Sequence, residues 1–355
     1  MGINANSIRD NYFKVVRFEQ PDFIPMHFHI NDASYHAYDQ SWLFDMVEAH
    51  EFLFPGFKRH ADTYVPTYLP NARKDTPFTD DFGCVWETTD DGITGIVTGH
   101  PLTNLDDIDG YTFPDPSVCY GMGPIDWDAE ADKLAEQKRR GDITMRGLRH
   151  GHTFLQLCDI RGYEALIYDM AEGEERLLPL IHSLEAFNQG IIDRYTAIGV
   201  DVMMYPEDLG MQIGPMISPE LFREYIKPSY KRIMQTAIEK GNLIHMHSDG
   251  HLHALCDDLV DSGVDIISLQ DLVNGIDWIS DKYAGKICIE LDIDRQKITA
   301  FGTPASVDAL IREEVDKLGS KQGGLMMVYG LYPGIPVKNV EALMDAMERY
   351  AFYYS

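Results

Sequence analysis

Short apolar segments alternate with amphipathic segments of helical period along the C-terminal half of the chain. Segments 197–208 and 261–271 resemble each other, because each contains Gly-Val-Asp, continues with apolar residues and ends in polar ones. Further apolar segments follow glycines at 243–247, 287–291 and 325–329. Their length and composition predict strands, and the helical segments between them predict a parallel sheet covered on both faces.

The segment 218–241 carries the signals of an interrupted helix. Ser218 is a preferred N-cap residue, Pro219 suits the first helical position, and Glu220 is favourable beside the positive end of the helix dipole. Apolar residues then recur at helical spacing to the end of the segment. Pro228 predicts a kink or a new start, because proline lacks the amide hydrogen that a helix interior requires.

At least five such units, with a further strand predicted at 23–30, favour a closed barrel over an open doubly wound sheet. No glycine-rich phosphate loop follows an early strand, as the open sheet would require. We therefore predict an α/β protein with a (β/α)8 TIM barrel, as a single domain over residues 1–355. Residues 31 to about 150 are rich in Asp, Pro, Gly and aromatic residues, and we interpret them as long loops and a lid over the barrel mouth.

Charge and composition restrict the partners and the cellular compartment. The chain has 57 acidic and 30 basic residues, so its net charge of -27 argues against binding to nucleic acid or anionic membranes. The sequence shows no signal-peptide pattern and no apolar run of about 18 residues, which predicts a cytoplasmic protein without a membrane span. The five cysteines are widely spaced and include no Cys-x-x-Cys pair, which predicts reduced thiols.

Histidines near the ends of predicted strands are the first candidates for chemistry. His245, His247 and Asp249 alternate along a predicted strand, so they point to one side and could hold zinc or another divalent cation. A hydrogen-bonded structural role is the alternative. His27 and His29 alternate in the same way and either line the same cavity or fill the barrel. We interpret the two remaining His-x-His pairs, at 150/152 and 251/253, as surface residues.

Carboxylates at strand ends form the second group of candidates. Glu207 and Asp208 could hold a metal or share a proton, in which case one of them acts as a general acid. The alternative is that Asp208 caps a turn while Glu207 is solvated. Asp292, Asp294 and Gln296 alternate, so three polar groups point the same way. Capping of the following turn is the rival explanation.

Several longer motifs occur together in this chain. They are Glu-Asp-Leu-Gly-x-Gln at 207–212, Ile-Ser-Pro-Glu-Leu-Phe-Arg-Glu-Tyr at 217–225, Lys-Pro-x-Tyr-Lys at 227–231, His-Ser-Asp-Gly at 247–250, Asp-Arg-Gln at 294–296, Phe-Gly-Thr-Pro at 301–304, Gly-Leu-Tyr-Pro-Gly at 330–334, Asn-Val-Glu-Ala-Leu at 339–343 and Thr-Asp-Asp-Phe-Gly-Cys-Val-Trp at 79–86. The set resembles the uroporphyrinogen decarboxylase superfamily, in particular its corrinoid-linked methyltransferases. This resemblance implies a (β/α)8 barrel with its site at the carboxyl ends of the strands.

The superfamily contains two chemistries, and the residue types favour one of them. A porphyrinogen decarboxylase is expected to line its cleft with arginines that pair with substrate carboxylates, whereas no arginine occurs here between Arg17 and Arg59. The coenzyme M methyltransferases bind zinc through His-x-Cys-Gly, an acidic residue and a late Cys. Here His247 matches the histidine, Asp249 replaces the first cysteine, and Gln270 and Leu331 fall near the other two positions. These departures predict a harder site that contains oxygen ligands.

The resemblance thus implies a methyltransferase that moves a methyl group from a small methyl ether to the cobalamin of a partner corrinoid protein. The residues that we predict for its site are Glu207 or Asp208 as proton donor, His247, Asp249 and His245 as metal ligands, and His27, His29, Gln212, Asp294 and Gln296 as substrate contacts. A decarboxylase of a porphyrinogen-like or other carboxylate substrate is the first alternative. A corrinoid-binding protein without turnover is the second. The oligomeric state stays open, with a homodimer as one option.

Overall fold

The computed structural model describes residues 5–59 and 63–355 of the chain, which form ten strands. These are β1 Met26–Ile30, β2 Phe78–Thr79, β3 Val85–Glu87, β4 Ile96–Gly99, β5 Met145–Gly147, β6 Val202–Asp208, β7 Leu243–Asp249, β8 Ile266–Gln270, β9 Cys288–Asp292 and β10 Leu325–Leu331. Seven strands form one sheet in the order β1-β10-β9-β8-β7-β6-β5, and β2, β3 and β4 form a second, small sheet.

Helices separate most of the strands of the large sheet. They are α1 Ala5–Arg17, α2 Ser34–Ala37, α3 Gln40–Ala49, α4 Trp127–Arg140, α5 Phe154–Arg161, α6 Tyr163–Glu172, α7 Leu177–Ile198, α8 Pro219–Leu221, α9 Lys227–Glu239, α10 Cys256–Val260, α11 Asp271–Asn274, α12 Ile276–Tyr283, α13 Ile298–Phe301, α14 Pro304–Leu318 and α15 Val337–Ala351, with 3₁₀ turns at Pro70–Ala72 and Leu105–Gly110. None of these described helices has the length and apolar character needed to cross a membrane.

The fold class is the predicted one, an α/β fold of the TIM-barrel type. Each of the six strands predicted from apolar segments is present, and the strand pairs β1/β10, β10/β9, β5/β6 and β6/β7 are parallel. Strand β7 shows why apolar runs predicted the strands, since its apolar residues Ile244 and Met246 are fully buried. Within the described residues the large sheet contains seven strands, one fewer than the eight that the prediction named.

The segment 31 to about 150 contains more regular structure than the predicted loops. It includes helices α3 and α4, the small sheet, in which β2 pairs antiparallel with β3, and strand β5. Strand β5 pairs with β6 and therefore belongs to the large sheet. The sequence pattern missed it because only three residues of modest β propensity form it. The lid role of this segment stays a prediction.

The chain divides into two units, each made from several stretches of sequence. The first contains the described residues up to Asp10, with Phe78–Trp86 and Val97–Ser268, and so includes β5, β6 and β7. The second contains the described residues of Asn11–Pro77, Glu87–Ile96 and Leu269–Ser355, and so includes β1, β9 and β10. The single-domain organisation stays a prediction.

The predicted interruption of the helix after β6 is present. The Ser218 side chain accepts a hydrogen bond from the Leu221 amide and so caps α8. A π-helical turn, Phe222–Ile226, follows, and α9 then begins with a proline in its first turn. This new start buries Tyr230 completely in the first unit, where its hydroxyl reaches a carboxylate at the end of β6.

Candidate metal centre at the ends of three strands

The pairing of β6 with β7 decides which polar side chains share a face. In this register His245 lies beside Met204, His247 beside Pro206 and Asp249 beside Asp208. Paired residues of neighbouring strands project to the same side of a sheet, and residues two apart along a strand do so as well. His245, His247 and Asp249 therefore share one face, as the sequence predicted, and Asp208 shares it with them.

Three side chains come together at the carboxyl ends of these strands. His150, which follows β5, Asp208 at the end of β6 and His247 on β7 each offer a ligand atom, and these atoms lie within 4.8 Å of one another. The Nε2 atom of His150 is 3.3 Å from Oδ1 of Asp208. Two imidazole nitrogens and one carboxylate oxygen are a donor set that suits zinc and other divalent transition metals. The cluster therefore fits a metal ion.

Neighbouring groups orient the imidazole of His247. Its Nδ1 atom lies 3.0 Å from the Ser268 hydroxyl, and Oδ1 of Asp249 lies 3.4 Å from its Nε2. The Asp249 amide donates to Oδ1 of Asp208 at 3.2 Å. A partner on the remote ring nitrogen fixes the tautomer and the ring orientation of a metal-binding histidine. The arrangement thus prepares Nε2 of His247 for a cation, with Asp249 beside the cluster.

The other predicted ligand, His245, lies deeper in the same strand. It is almost fully buried and is not one of the three grouped ligands among the described residues. Its position two residues before His247 places it about 7 Å further from the end of the strand. His245 as a ligand therefore stays a prediction that the placement of the cluster does not favour.

Two glycines allow the loops that follow β6 and β7 to pass each other closely. Gly250 has a φ of +85°, and a Cβ atom added to it would lie 2.1 Å from the carbonyl carbon of Gly210. Such a distance is far below van der Waals contact, so both positions require glycine. The loop after Gly210 carries the exposed side chain of Gln212.

Glu207 points away from this cluster, although it is adjacent to Asp208. Its fully buried carboxylate accepts hydrogen bonds from the amides of Thr153 (3.2 Å) and Phe154 (2.8 Å) and from the hydroxyl of Tyr230 (2.5 Å). It therefore caps the start of α5. Burial raises the pKa of Glu207, while these hydrogen bonds act in the opposite direction. The predicted proton sharing with Asp208 is not possible in this arrangement, and neither is a solvated Glu207.

The sequence interpretation missed His150 as a site residue. The sequence predicts that both His150 and His152 are surface residues, but only His150 is exposed, whereas His152 is buried against the rings of Tyr205 and Tyr230. Burial lowers the pKa of His152 to about 3, so this side chain is neutral. The signal that could have found His150 is its position directly after a strand, but that strand is β5, which the pattern did not show.

The remaining predicted residues belong to the second unit. His27 and His29 are exposed on β1, where they pair in register with Val328 and Gly330. Asp294 is buried, and its carboxylate accepts hydrogen bonds from four amides, those of residues 296 to 299, at the start of α13. The capping explanation therefore describes Asp294. Gln296 follows it with an exposed side chain.

An ionic group lies directly behind His150 in the first unit. The Arg149 guanidinium lies 3.4 Å from Oδ2 of Asp80 and 3.5 Å from Oδ2 of Asp159. Burial raises the pKa of Asp159 to about 7, Asp80 and Glu207 add to that effect, and Arg149 opposes it. Asp159 is therefore partly protonated near neutral pH in the folded protein.

This raised pKa predicts a pH-dependent stability. Between about pH 4 and 7 the folded state keeps the Asp159 proton while the unfolded state releases it. The stabilisation that Asp159 contributes through this proton is therefore complete below pH 4 and declines as the pH rises to 7. We expect the free energy of unfolding of Asp159→Asn, minus that of the unmodified protein, to increase by about 1 kcal/mol per pH unit in this window. Urea unfolding at pH 5, 6 and 7 measures it, and a constant difference would contradict the assignment.

The fold and this site define a parallel α/β protein of the TIM-barrel type with a polar, metal-compatible cluster at the carboxyl ends of its strands. The chain belongs to the uroporphyrinogen decarboxylase family, because the family model "Uroporphyrinogen decarboxylase (URO-D)" matches residues 79–350. The predicted superfamily is thereby confirmed.

Two individual proteins resemble this chain. A uroporphyrinogen decarboxylase of Danio rerio is 24% identical over 149 residues, which are 39% of this chain and 37% of that protein. The chain thus matches little more than a third of that relative's length. A methyltransferase from Methanosarcina mazei has a TM-score of 0.67 at 16% identity, over 99% of this chain and 100% of that one. At this identity the likeness shows a shared fold.

Proposed function

We propose that the protein is a metal-assisted methyltransferase that moves a methyl group from a small methyl ether to the reduced corrinoid of a partner protein. The observation that carries this proposal is the cluster of His150, Asp208 and His247, whose ligand atoms lie within 4.8 Å of one another. The fold shared with a methyltransferase over almost the whole chain supports it. Enzymes with TIM-barrel folds use this end of the sheet for catalysis.

The donor set supports the proposal of an oxygen leaving group rather than a thiol. All five cysteines are buried, and none belongs to the cluster, so no thiolate contributes to it. A carboxylate oxygen and imidazole nitrogens favour a harder cation than a thiolate-rich site does. A metal in this site would supply Lewis acidity that polarises the ether oxygen.

The residues of the chain have distinct proposed tasks in this reaction. His150, Asp208 and His247 would hold the metal, Ser268 orients the ring of His247, and Asp249 contributes negative charge beside it. When the carbon–oxygen bond breaks, its electron pair stays on oxygen, which takes a proton. The methyl carbon bonds to cobalt through an electron pair of the reduced corrinoid. Because His150 is 53% exposed, water can deliver that proton.

The substrate contacts stay proposals. Gln212 lies exposed in the loop after β6, and His27, His29 and Gln296 are exposed in the second unit. Their side chains can therefore donate hydrogen bonds to a ligand or accept them from it. Asp294 is the weakest of the predicted contacts, because four backbone amides already occupy its carboxylate.

Decarboxylation is the second candidate, and the match to a decarboxylase of Danio rerio is the observation that favours it. The arginines near strand ends argue against it. Arg149 is engaged with Asp80 and Asp159, and Arg295 is 2.7 Å from Asp292. Guanidinium groups that already pair with protein carboxylates are poorly suited to hold the carboxylates of a substrate.

The test is an assay of both reactions on one protein sample. We expect purified protein loaded with zinc to convert Co(I) corrinoid to methyl-Co(III), seen in the visible spectrum, when an aryl or alkyl methyl ether is present. Zinc content is measured in the same sample by elemental analysis. Release of CO₂ from a porphyrinogen carboxylate, with no methyl transfer from any ether, would instead establish the decarboxylase.

A further inference from the structure

The motif Thr-Asp-Asp-Phe-Gly-Cys-Val-Trp at 79–86 has no role in the proposed reaction, and Asp80 explains its structure. The carboxylate of Asp80 accepts hydrogen bonds from the amides of Phe82 (3.0 Å) and Cys84 (2.9 Å) and from the indole nitrogen of Trp86 (2.9 Å). The Asp80 side chain is fully buried. Three donors on one buried carboxylate fix the turn between β2 and β3 rigidly.

This turn holds the side chain of Arg149. Only 7% of the Arg149 side chain is exposed, and its guanidinium lies over the rings of Trp86 (5.5 Å) and Phe82 (5.8 Å). The same guanidinium is paired with Asp80 and, on its other side, with Asp159. A planar cation between two rings and two carboxylates has a single orientation, which lysine could not reproduce.

Arg149 in turn contacts the residue that follows it, the candidate ligand His150. Its Nε atom donates to the carbonyl oxygen of His150 at 3.4 Å. On either side of this residue the main chain is bound to β6, since the Leu148 amide donates to Met204 O and the Gly151 amide to Pro206 O, both at 3.0 Å. His150 thus lies on a short turn that is fixed at both ends by β6 and from behind by Arg149.

We infer that Arg149, held by Asp80, is a positioning residue that fixes the backbone of His150 so that its imidazole meets Asp208 and His247. This inference rests on the proposed function, since it concerns the metal ligand of that site. Because 53% of the His150 side chain is exposed, its placement depends strongly on the backbone that carries it. Loss of such outer contacts typically weakens metal binding 10- to 100-fold.

The test compares Arg149→Lys with Arg161→Lys in the full chain. Arg161 forms a similarly buried ion pair with Asp169 in the same unit, and its other hydrogen bonds go to the carbonyl oxygens of Leu102 and Thr103. We expect the zinc dissociation constant, measured by competition with a chelator, to rise about 10-fold in Arg149→Lys and to stay within twofold in Arg161→Lys. Asp80→Asn should give a similar rise, and the double variant should add little to either single change.

Two further readouts separate positioning from a general loss of stability. The visible spectrum of the Co²⁺-loaded Arg149→Lys variant should shift toward that of His150→Ala. Hydrogen exchange at the Gly151 amide should become at least about 10-fold faster in Arg149→Lys. If that variant fails to fold, Trp86→Phe, which keeps a ring under the guanidinium but loses the bond to Asp80, should show a smaller rise of about threefold.

The outcomes distinguish the failure of this inference from that of the proposed function. Absence of zinc binding in the unmodified protein would overturn the metal-assisted reaction. Hydrogen exchange at the Gly151 amide would still test whether Arg149 fixes the backbone of His150. Zinc binding in the unmodified protein, with unchanged affinity, spectrum and Gly151 exchange in Arg149→Lys, would overturn the positioning role alone.

Discussion

Replacing His247 by alanine should abolish zinc binding and slow methyl transfer by at least ~1000-fold, because an electrostatic catalyst held in a preorganised site contributes several kcal/mol to the transition state. Two neighbours orient the His247 side chain, since Ser268 and Asp249 contact its two ring nitrogens. Its loss leaves only His150 and Asp208, which are too few for a stable site. Zinc stoichiometry and the rate of methyl-Co(III) formation measure the two effects.

The matched control is His253→Ala, which removes a histidine from the loop that follows the same strand. The ring of His253 lies against that of His251 in a tilted arrangement with centroids 4.1 Å apart, and His253 is not part of the three-residue cluster. We expect its zinc content and rate to stay within twofold of the unmodified protein. A His247→Ala variant that keeps full activity would remove the metal from the proposed reaction, whatever its effect on stability.

The strands of the large sheet were predictable because each buried strand is an apolar run of characteristic length. β6, β7, β8, β9 and β10 all follow a glycine that separates a helical pattern from an apolar run, so the start of each strand was visible. β5 was not, because three residues, Met-Arg-Gly, give no periodicity and a highly charged helix, α4, precedes them. β5 belongs to the sheet because it pairs with β6, and this pairing depends on the tertiary structure rather than on the local sequence.

Only those features of the candidate site that follow from the alternation of side chains within one strand were predictable. Alternation placed His245, His247 and Asp249 on one face, but the parallel register that adds Asp208 depends on which strands become neighbours. The same alternation separates Glu207 from Asp208, so an adjacent acidic pair in a strand is weak support for a shared proton. His150 enters the cluster through contacts of Arg149 that are distant in sequence, and no local pattern reports them.

Replacing Glu207 by alanine should lower the free energy of unfolding by about 3–5 kcal/mol, because buried donors are left without an acceptor. The amides of Thr153 and Phe154 and the hydroxyl of Tyr230 all depend on this one carboxylate, which no solvent reaches. Glu207→Gln should lower it by less, about 1–2 kcal/mol, since an amide oxygen can still accept from α5. Urea unfolding followed by circular dichroism at pH 7 measures both.

The exposed acid Glu220, in the first turn of α8, provides the stability control. Its replacement by alanine should change the free energy of unfolding by about 0.5 kcal/mol at most.

The neighbouring residue of β6, Asp208, provides the contrast in zinc binding. Because Glu207 faces α5 and Tyr230 while Asp208 faces His150, Glu207→Gln should keep zinc affinity within a few-fold, whereas Asp208→Asn should lose it. A Glu207→Gln protein that folds stably but binds no zinc would show that the buried carboxylate contributes to metal binding. The assignment of a structural role to Glu207 and of metal binding to Asp208 would then be wrong.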